Sequence, residues 1–454
     1  MNGAHVPVWW DGVPTGASRP TIAADETVDV CVVGGGYTGL WTAYYLLEAD
    51  PSLNVMVLEA QHVGFGASGR NGGWVSALYP VGPAALARHH GESAAKDQCA
   101  ALRDSVDEVG RVARLEGIEC GFHKGGTLVT ARNRAQATRG RAEAQESHHW
   151  GTGTTWLEAS AAADRLAVQG LLGATFNPNC ARIHPMRLAA GLASSVERKG
   201  ARIHEGTRVA NLSAGRVVTE GGVRVTARHI IRATEAWTAR LPRHRRSVAP
   251  VFSLMVATAP LPQSLWDQIG LADAETFSDL RHVVVYGQRS QDDRLVFGGR
   301  GAPYHFASSI KPEFDGDATV FASLRRTLTE MIPAAAGVEF THAWGGPLGI
   351  ARDWHPAVAY NPTTGLGHAG GYVGDGVALS NLAGRTLADL VTTRDTALTR
   401  LPWVQHRARR WEPEPLRWLE VNAGLQLASL ADREERLTRR PAVLGRALSA
   451  LTGH

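Results

Sequence analysis

Lysine is scarce in this chain of 454 residues. It stands only at Lys96, Lys124, Lys199 and Lys311, so arginine carries nearly all the positive charge. Basic residues outnumber acidic ones by only 47 to 43. The densest basic runs, Arg240–Arg246 and Arg407–Arg410, read as solvated faces or internal ion pairs, and nucleic acid is not an expected partner. Cysteine is equally sparse: Cys31, Cys99, Cys120 and Cys180 are far apart with no CxxC, which excludes a zinc knuckle and a redox-active pair. Adjacent histidines such as His89-His90 and His148-His149 point apart on any regular element, so no metal is expected. No apolar run reaches the roughly eighteen residues of a spanning helix. The segment MNGAHVPVWWDG lacks the basic and apolar regions of a signal peptide. A cytoplasmic location without membrane contact is the expectation.

Glycine is abundant, and its first cluster organises the chain. Val30–Val33 is an apolar run of β-formers leading into Gly34-Gly35-Gly36-Tyr37-Thr38-Gly39, after which Leu40–Glu48 has helical periodicity. Gly34 suits a tight turn, Gly36 lets backbone N–H groups approach a pyrophosphate, and Gly39 allows close helix–strand packing. The helix start adds unpaired donors and a positive dipole end. A second apolar run, Val55–Leu58, ends in Glu59, whose carboxylate can accept hydrogen bonds from ribose hydroxyls and repel a 2′-phosphate. This predicts a dinucleotide fold. Beyond it, Gly64-Phe65-Gly66-Ala67-Ser68-Gly69-Arg70-Asn71-Gly72-Gly73 combines close backbone approach with donors suited to phosphate and ring oxygens.

These motifs together, V-G-G-G-Y-T-G, the closing Glu59 and G-A-S-G-R-N-G-G, resemble the FAD-dependent D-amino-acid oxidase superfamily, which includes glycine, sarcosine and γ-glutamylputrescine oxidases. The resemblance implies non-covalent FAD, since no Cys occurs beyond 180 and no His lies in Ser68–Trp74. It implies cofactor contacts from Gly34, Gly36, Tyr37, Thr38 and Gly39, and from Glu59 and Ala60. It adds Gly66, Ala67, Ser68, Arg70, Asn71, Gly72 and Gly73 from the loop, with Arg70 and Asn71 near the pyrophosphate and flavin end. Val209 and Thr234 are expected near the adenosine half, where Glu235 replaces the family's usual small residue. The late run Gly365–Gly376, followed by helical Val377–Val391, matches the superfamily's last FAD motif, so Gly371, Tyr372, Gly374, Asp375, Gly376 and Val377 are assigned to the flavin.

The expected fold class is α/β: a discontinuous Rossmann-type FAD domain (28–120, 181–245, 344–395) and an α+β substrate domain (121–180, 246–343) with a mainly antiparallel sheet. An N-terminal arm (1–27), with Trp9-Trp10 as an apolar clasp, and a helical C-terminal extension (396–454) complete it. Strands are predicted at Thr127–Thr130, Gly173–Asn177, Val251–Thr258, Val283–Tyr286, Leu295–Gly299 and Val338–Trp344, and helices at Ser93–Glu116, Arg132–His148 and Asp317–Met331. Five short β-segments between 201 and 233 read as one strand of the main sheet plus a meander. Pro185 opens a helix running to about Lys199. The tail from Leu401 reads as three or four helical segments that pack over the body or against a second subunit; monomer and homo-oligomer both stay open.

With FAD bound, removal of hydride from the C–H beside an amine nitrogen leaves an imine that hydrolyses to a carbonyl and an amine. The candidate catalytic residues are Arg300, Tyr286, His305 and Tyr372, with Tyr304, Arg352 and a pocket wall at Trp74 beside them. Two departures from the superfamily bear on the substrate. Its amino-acid oxidases carry an arginine that clamps the substrate carboxylate, where this chain has Leu348, a pattern closer to the γ-glutamylputrescine oxidases. The lysine that sarcosine oxidases use with oxygen falls about at Val296. An amine substrate is favoured over a simple α-amino acid, and oxidase and dehydrogenase stay open. The alternatives are an FAD monooxygenase, suggested by Gly374-Asp375 but lacking the A-A-H that follows it, and a flavoprotein subunit without its own catalysis. An NAD-linked disulfide reductase is excluded by the missing CxxxxC.

Overall fold

The computed structural model describes residues 5–13, 19–438 and 440–443. Among these residues the strands form two eight-stranded sheets and one two-stranded ribbon. The first sheet is built on Glu26–Val33, whose C-terminal half is buried on both faces, as a central parallel strand requires. It runs parallel to Val55–Leu58 on one side and Arg224–Arg232 on the other, with Arg202–His204 and Leu366–Gly370 outside them. Ala357–Asn361 closes one edge antiparallel. The segments 223–227 and 229–234, which read as separate, form one nine-residue strand. The main sheet therefore takes two strands from this region, and only Val209–Ser213 and Arg216–Thr219 form the antiparallel flap.

Helices Tyr37–Ala49 and Gly376–Val391 cross one face of this sheet in close contact. A Cβ at Gly384 would lie 2.6 Å from the Cβ of Trp41, so only glycine permits that approach. Trp41, Tyr44, Leu46 and Leu382 fill the interface and are fully buried. Helix Pro185–Arg198 begins on its proline, and the His184 ring accepts from the Arg187 N–H. The second sheet is antiparallel except where Thr276–Asp279 runs parallel to Thr127–Ala131. Its core holds Phe252, Phe277, Phe297 and Trp266, with Leu324 and Leu328 from the helix Ala318–Met331, which Asp317 caps through the N–H groups of Thr319 and Val320.

Two elements depart from expectation. The strand predicted to stop at Trp344 runs from Phe340 to Ile350 and pairs with Ala249–Thr258 along its length. The boundary placed at 343/344 thus falls inside a strand of the second sheet. Its Gly345-Gly346-Pro347 stretch hides the strand in the sequence, because glycine and proline are poor strand formers. Among the described residues the tail contains one long α-helix, Leu416–Thr438, where three or four segments are expected; residues 444–454 lie outside the described residues. Before it, residues 405–413 run without regular structure, held to the body by Trp411, whose Nε1 donates to the Ile350 carbonyl at 2.8 Å.

The arm is a clasp. Trp9 Nε1 donates to the Asn71 carbonyl (2.8 Å) and Trp10 Nε1 to the Gly69 carbonyl (3.0 Å), which pins the glycine loop from outside.

Candidate functional site

A long cavity crosses the C-terminal ends of the first sheet's parallel strands, the usual ligand crevice of an open α/β sheet. Its walls include Gly34, Gly36, Tyr37 and Thr38 from the first turn, and Glu59 and Ala60 from the second strand. Gly66, Ala67, Ser68 and Asn71 come from the loop, Val209 and Thr234 from the flap side, and Tyr372, Gly374, Gly376 and Val377 from the last glycine turn. A Cβ at Gly39 would stand 2.0 Å from the Gly34 carbonyl oxygen and one at Gly36 2.9 Å from Ser68 Oγ, so this turn is closed to any side chain. Gly36 caps helix Tyr37–Ala49 without a side-chain partner, and Ser68 Oγ accepts from the Tyr37 N–H at 2.8 Å. The Glu59 carboxylate accepts from the N–H groups of Gly35 (2.7 Å) and Gln61 (2.9 Å). Burial raises its pKa, which these two donors oppose, and each oxygen retains a lone pair for a ribose hydroxyl. The cradle fits a dinucleotide: backbone donors and a dipole end for phosphate, a carboxylate for ribose.

Several expected cofactor residues lie elsewhere. Gly39, Gly73 and Gly371 face packing: a Cβ on Gly73 would meet Gln288 Nε2 at 2.0 Å. The Arg70 guanidinium does not reach the cofactor cavity. It donates to Asp315 (2.7 Å) and to the carbonyls of Phe65 and Gly345, between the rings of Trp10 and Phe65. Its charge is consumed by the contact between loop and second sheet. Tyr372 belongs to the cofactor side alone, its hydroxyl 2.9 Å from Thr38 Oγ1. Burial pushes the carboxyl of Glu235, which also lines this cavity, up to about 7. Its oxygen accepts the Gly349 N–H at 2.7 Å and its φ is +42°, so the usual small residue is replaced by one that ties the second sheet to the cofactor wall.

A second cavity of about 310 Å³ opens from the first; Ala67, Asn71, Leu348, Gly374 and Val377 line both. Gly72, Tyr286, Arg300 and Asp375 lie on its near side. The Tyr286 hydroxyl is 2.8 Å from Ser253 Oγ, and its ring meets Trp74 edge-on at 6.1 Å. Arg300 donates to the Val373 carbonyl, inside the last glycine turn. Burial lowers the Arg300 pKa while Asp375 raises it, and burial pushes Asp375 up to about 6 against the pull of Arg300. His305 is not here. The strand Leu295–Arg300 ends at Arg300 and Gly301, at φ +130°, turns the chain away, so that the His305 ring stacks on Phe314 at 3.4 Å. Tyr304 bonds Glu414 (2.8 Å), and Arg352 pairs with Glu412 (2.9 Å); both belong to the anchoring of the tail.

Sequence reasoning missed the far wall of this cavity, where Thr127, Val129, Thr175, Asn177 and Glu143 meet. Thr127 and Val129, like Thr175 and Asn177, stand two apart on their strands and so share one face; that spacing was the available signal.

The family described as FAD dependent oxidoreductase (DAO) matches residues 29–390. A probable oxidoreductase OrdL of Rhizobium meliloti is 30% identical over 404 residues, covering 86% of this chain and 89% of that protein. The γ-glutamylputrescine oxidoreductase of Escherichia coli is 28% identical, covering 82% and 85%. Among solved structures, glycine oxidase of Geobacillus kaustophilus superposes with a TM-score of 0.70 at 25% identity, over 84% of this chain and all of that one. No helix among the described residues is long and apolar enough to cross a membrane. With a dinucleotide cradle whose glycine turn, acidic strand end and late glycine helix all lie inside the matched span, the chain belongs to the DAO family of FAD-dependent oxidoreductases.

Proposed function

We propose that this protein oxidises an amine at the carbon beside nitrogen. The reading is carried by the junction of the two cavities, where Leu348 leaves the wall apolar, with Arg300 beside it tied through one Nη to the Val373 carbonyl. Among the described residues no arginine stands at Leu348 to clamp a carboxylate as a bidentate fork, which disfavours an α-amino acid, in keeping with the relative named for γ-glutamylputrescine. FAD, when bound, supplies the hydride acceptor. The chain's residues do the rest. Trp74, Met255 and Leu348 exclude water from the junction. Burial lowers the pKa of an amine placed there and the Arg300 charge acts in the same sense, against the opposing pull of Asp375 once that carboxyl ionises, and the neutral form is the one whose nitrogen lone pair assists C–H cleavage. Tyr286, held by Ser253, offers its hydroxyl to orient that nitrogen.

The test is anaerobic mixing of the FAD-loaded protein with primary, secondary and polyamines while flavin absorbance is followed. Bleaching by at least one amine class is expected, with a rate that rises with pH. Arg300→Ala should slow bleaching and move its pH profile upward, since the nearby cation that disfavours an ammonium is gone. Bleaching by no amine would overturn the reading. Readmitting air then separates oxidase from dehydrogenase by the speed of reoxidation.

A further inference from the structure

The far end of the second cavity carries a negative charge with nothing to answer it. Glu143, on helix Arg134–Trp150, lines the cavity and has no hydrogen-bond or ion-pair partner among the described residues. Glu143 keeps an exposed surface on the helix that walls this end of the cavity, and desolvation by the packing around it together with the like charge of Glu146 raises its pKa. On the wall of the same cavity, Thr127 is only 4% exposed, and its Oγ1 has no hydrogen-bond partner among the described residues. A buried hydroxyl without a partner costs free energy unless a ligand completes it. Thr154, Thr175 and Asn177 make the rest of this end polar. Of the two cations on the cavity wall, Arg70 is bound by Asp315 and two carbonyls, and Arg300 lies at the other end, where one Nη donates to the Val373 carbonyl. The cavity is therefore polarised, with Arg300 and Asp375 facing each other at the cofactor end and an unpaired carboxylate with hydroxyls at the far end.

Resting on the amine-oxidation reading, we infer that the substrate is a small linear diamine or aminoalkyl amine whose second, unreacting nitrogen is a cation bound by Glu143 and Thr127. One nitrogen enters the junction near Arg300 and is oxidised as the neutral amine; the other keeps its charge against Glu143. A volume of about 310 Å³ is at the small end of ligand cavities, which suits a short chain. A distal carboxylate meets repulsion instead, and a plain alkyl end leaves both Glu143 and Thr127 unanswered.

The experiment compares linear diamines with monoamines of equal chain length and with ω-amino carboxylates. It uses the FAD-loaded full chain, reading dissociation constants from the anaerobic dependence of flavin bleaching on amine concentration. A charge-assisted hydrogen bond predicts a diamine preference of about tenfold or more. Glu143→Gln should bring the diamine-to-monoamine ratio toward one, and Glu143→Lys should shift preference to the ω-amino carboxylate. Glu146→Gln, which alters the same helix without touching the cavity, should leave the ratio unchanged. Equal binding of diamine and monoamine by the wild type, or a preference that survives Glu143→Gln, overturns this inference while leaving amine oxidation intact. Bleaching by no amine at all overturns both.

Discussion

Arg70 was expected to meet the cofactor, and the structure gives it a different task that can be measured. Its guanidinium is 8% exposed and bonds an Asp315 carboxylate that is 18% exposed, as well as two carbonyls. Burial is the largest influence on both partners, lowering the pKa of Arg70 and raising that of Asp315. The pair as a whole therefore adds little stability, but breaking it strands the other charge. Loss of one member of a buried pair costs about 3–5 kcal/mol, and the residual exposure of Asp315 puts Arg70→Met near the lower end, about 3 kcal/mol. Asp315→Leu should cost a similar amount, and the double variant should recover about 1–3 kcal/mol of the summed loss. The assay is urea unfolding of the FAD-free protein, followed by tryptophan fluorescence and far-UV circular dichroism with coincident transitions required, alongside FAD titration. Both single variants should lose stability together, and FAD affinity should fall in both only as far as the loop is loosened. If Arg70→Met left unfolding unchanged and weakened FAD binding tenfold while Asp315→Leu did not, Arg70 would be a cofactor ligand and the reasoning would fail.

Two further outcomes follow from the cofactor wall. A Cβ at Gly39 would sit 2.0 Å from a backbone oxygen, so Gly39→Ala should destabilise by about 1–3 kcal/mol and the purified protein should lose its yellow colour; unchanged FAD content would refute the close approach. Glu235 has a folded-state pKa of about 7, above an unfolded value of about 4.3. The stability this group contributes is full below its unfolded pKa and is lost as pH rises through 7, by up to about 4 kcal/mol. Melting curves of the FAD-free protein at pH 5 and pH 8 should therefore differ less for Glu235→Gln than for the wild type, and equal differences would refute the assignment.

What the sequence determined by itself was the part whose physics is local. A strand, a turn that tolerates only glycine and a helix start lie within Val30–Glu48, and Glu59 ends the next strand, so the cradle and its cofactor are written in contiguous residues. The same holds for the late turn before Gly376–Val391. The substrate cavity was decided only by tertiary structure. Its walls come from the loop at Gly72, the strands at Thr127, Thr175, Ser253 and Tyr286, and the helix bearing Glu143, which no spacing rule connects. Arg300 and Tyr286, singled out through the family resemblance, both line this cavity because strand alternation aims them at one face. His305 was misplaced because a single glycine at φ +130° reversed the chain after Arg300. Arg70 was misread for the opposite reason: its type suited phosphate, but its partner Asp315 arrives from 245 residues away. Local backbone geometry is encoded where it acts, while side-chain partnerships depend on which distant elements the fold brings together, and here those partnerships separate the cofactor site from the substrate site.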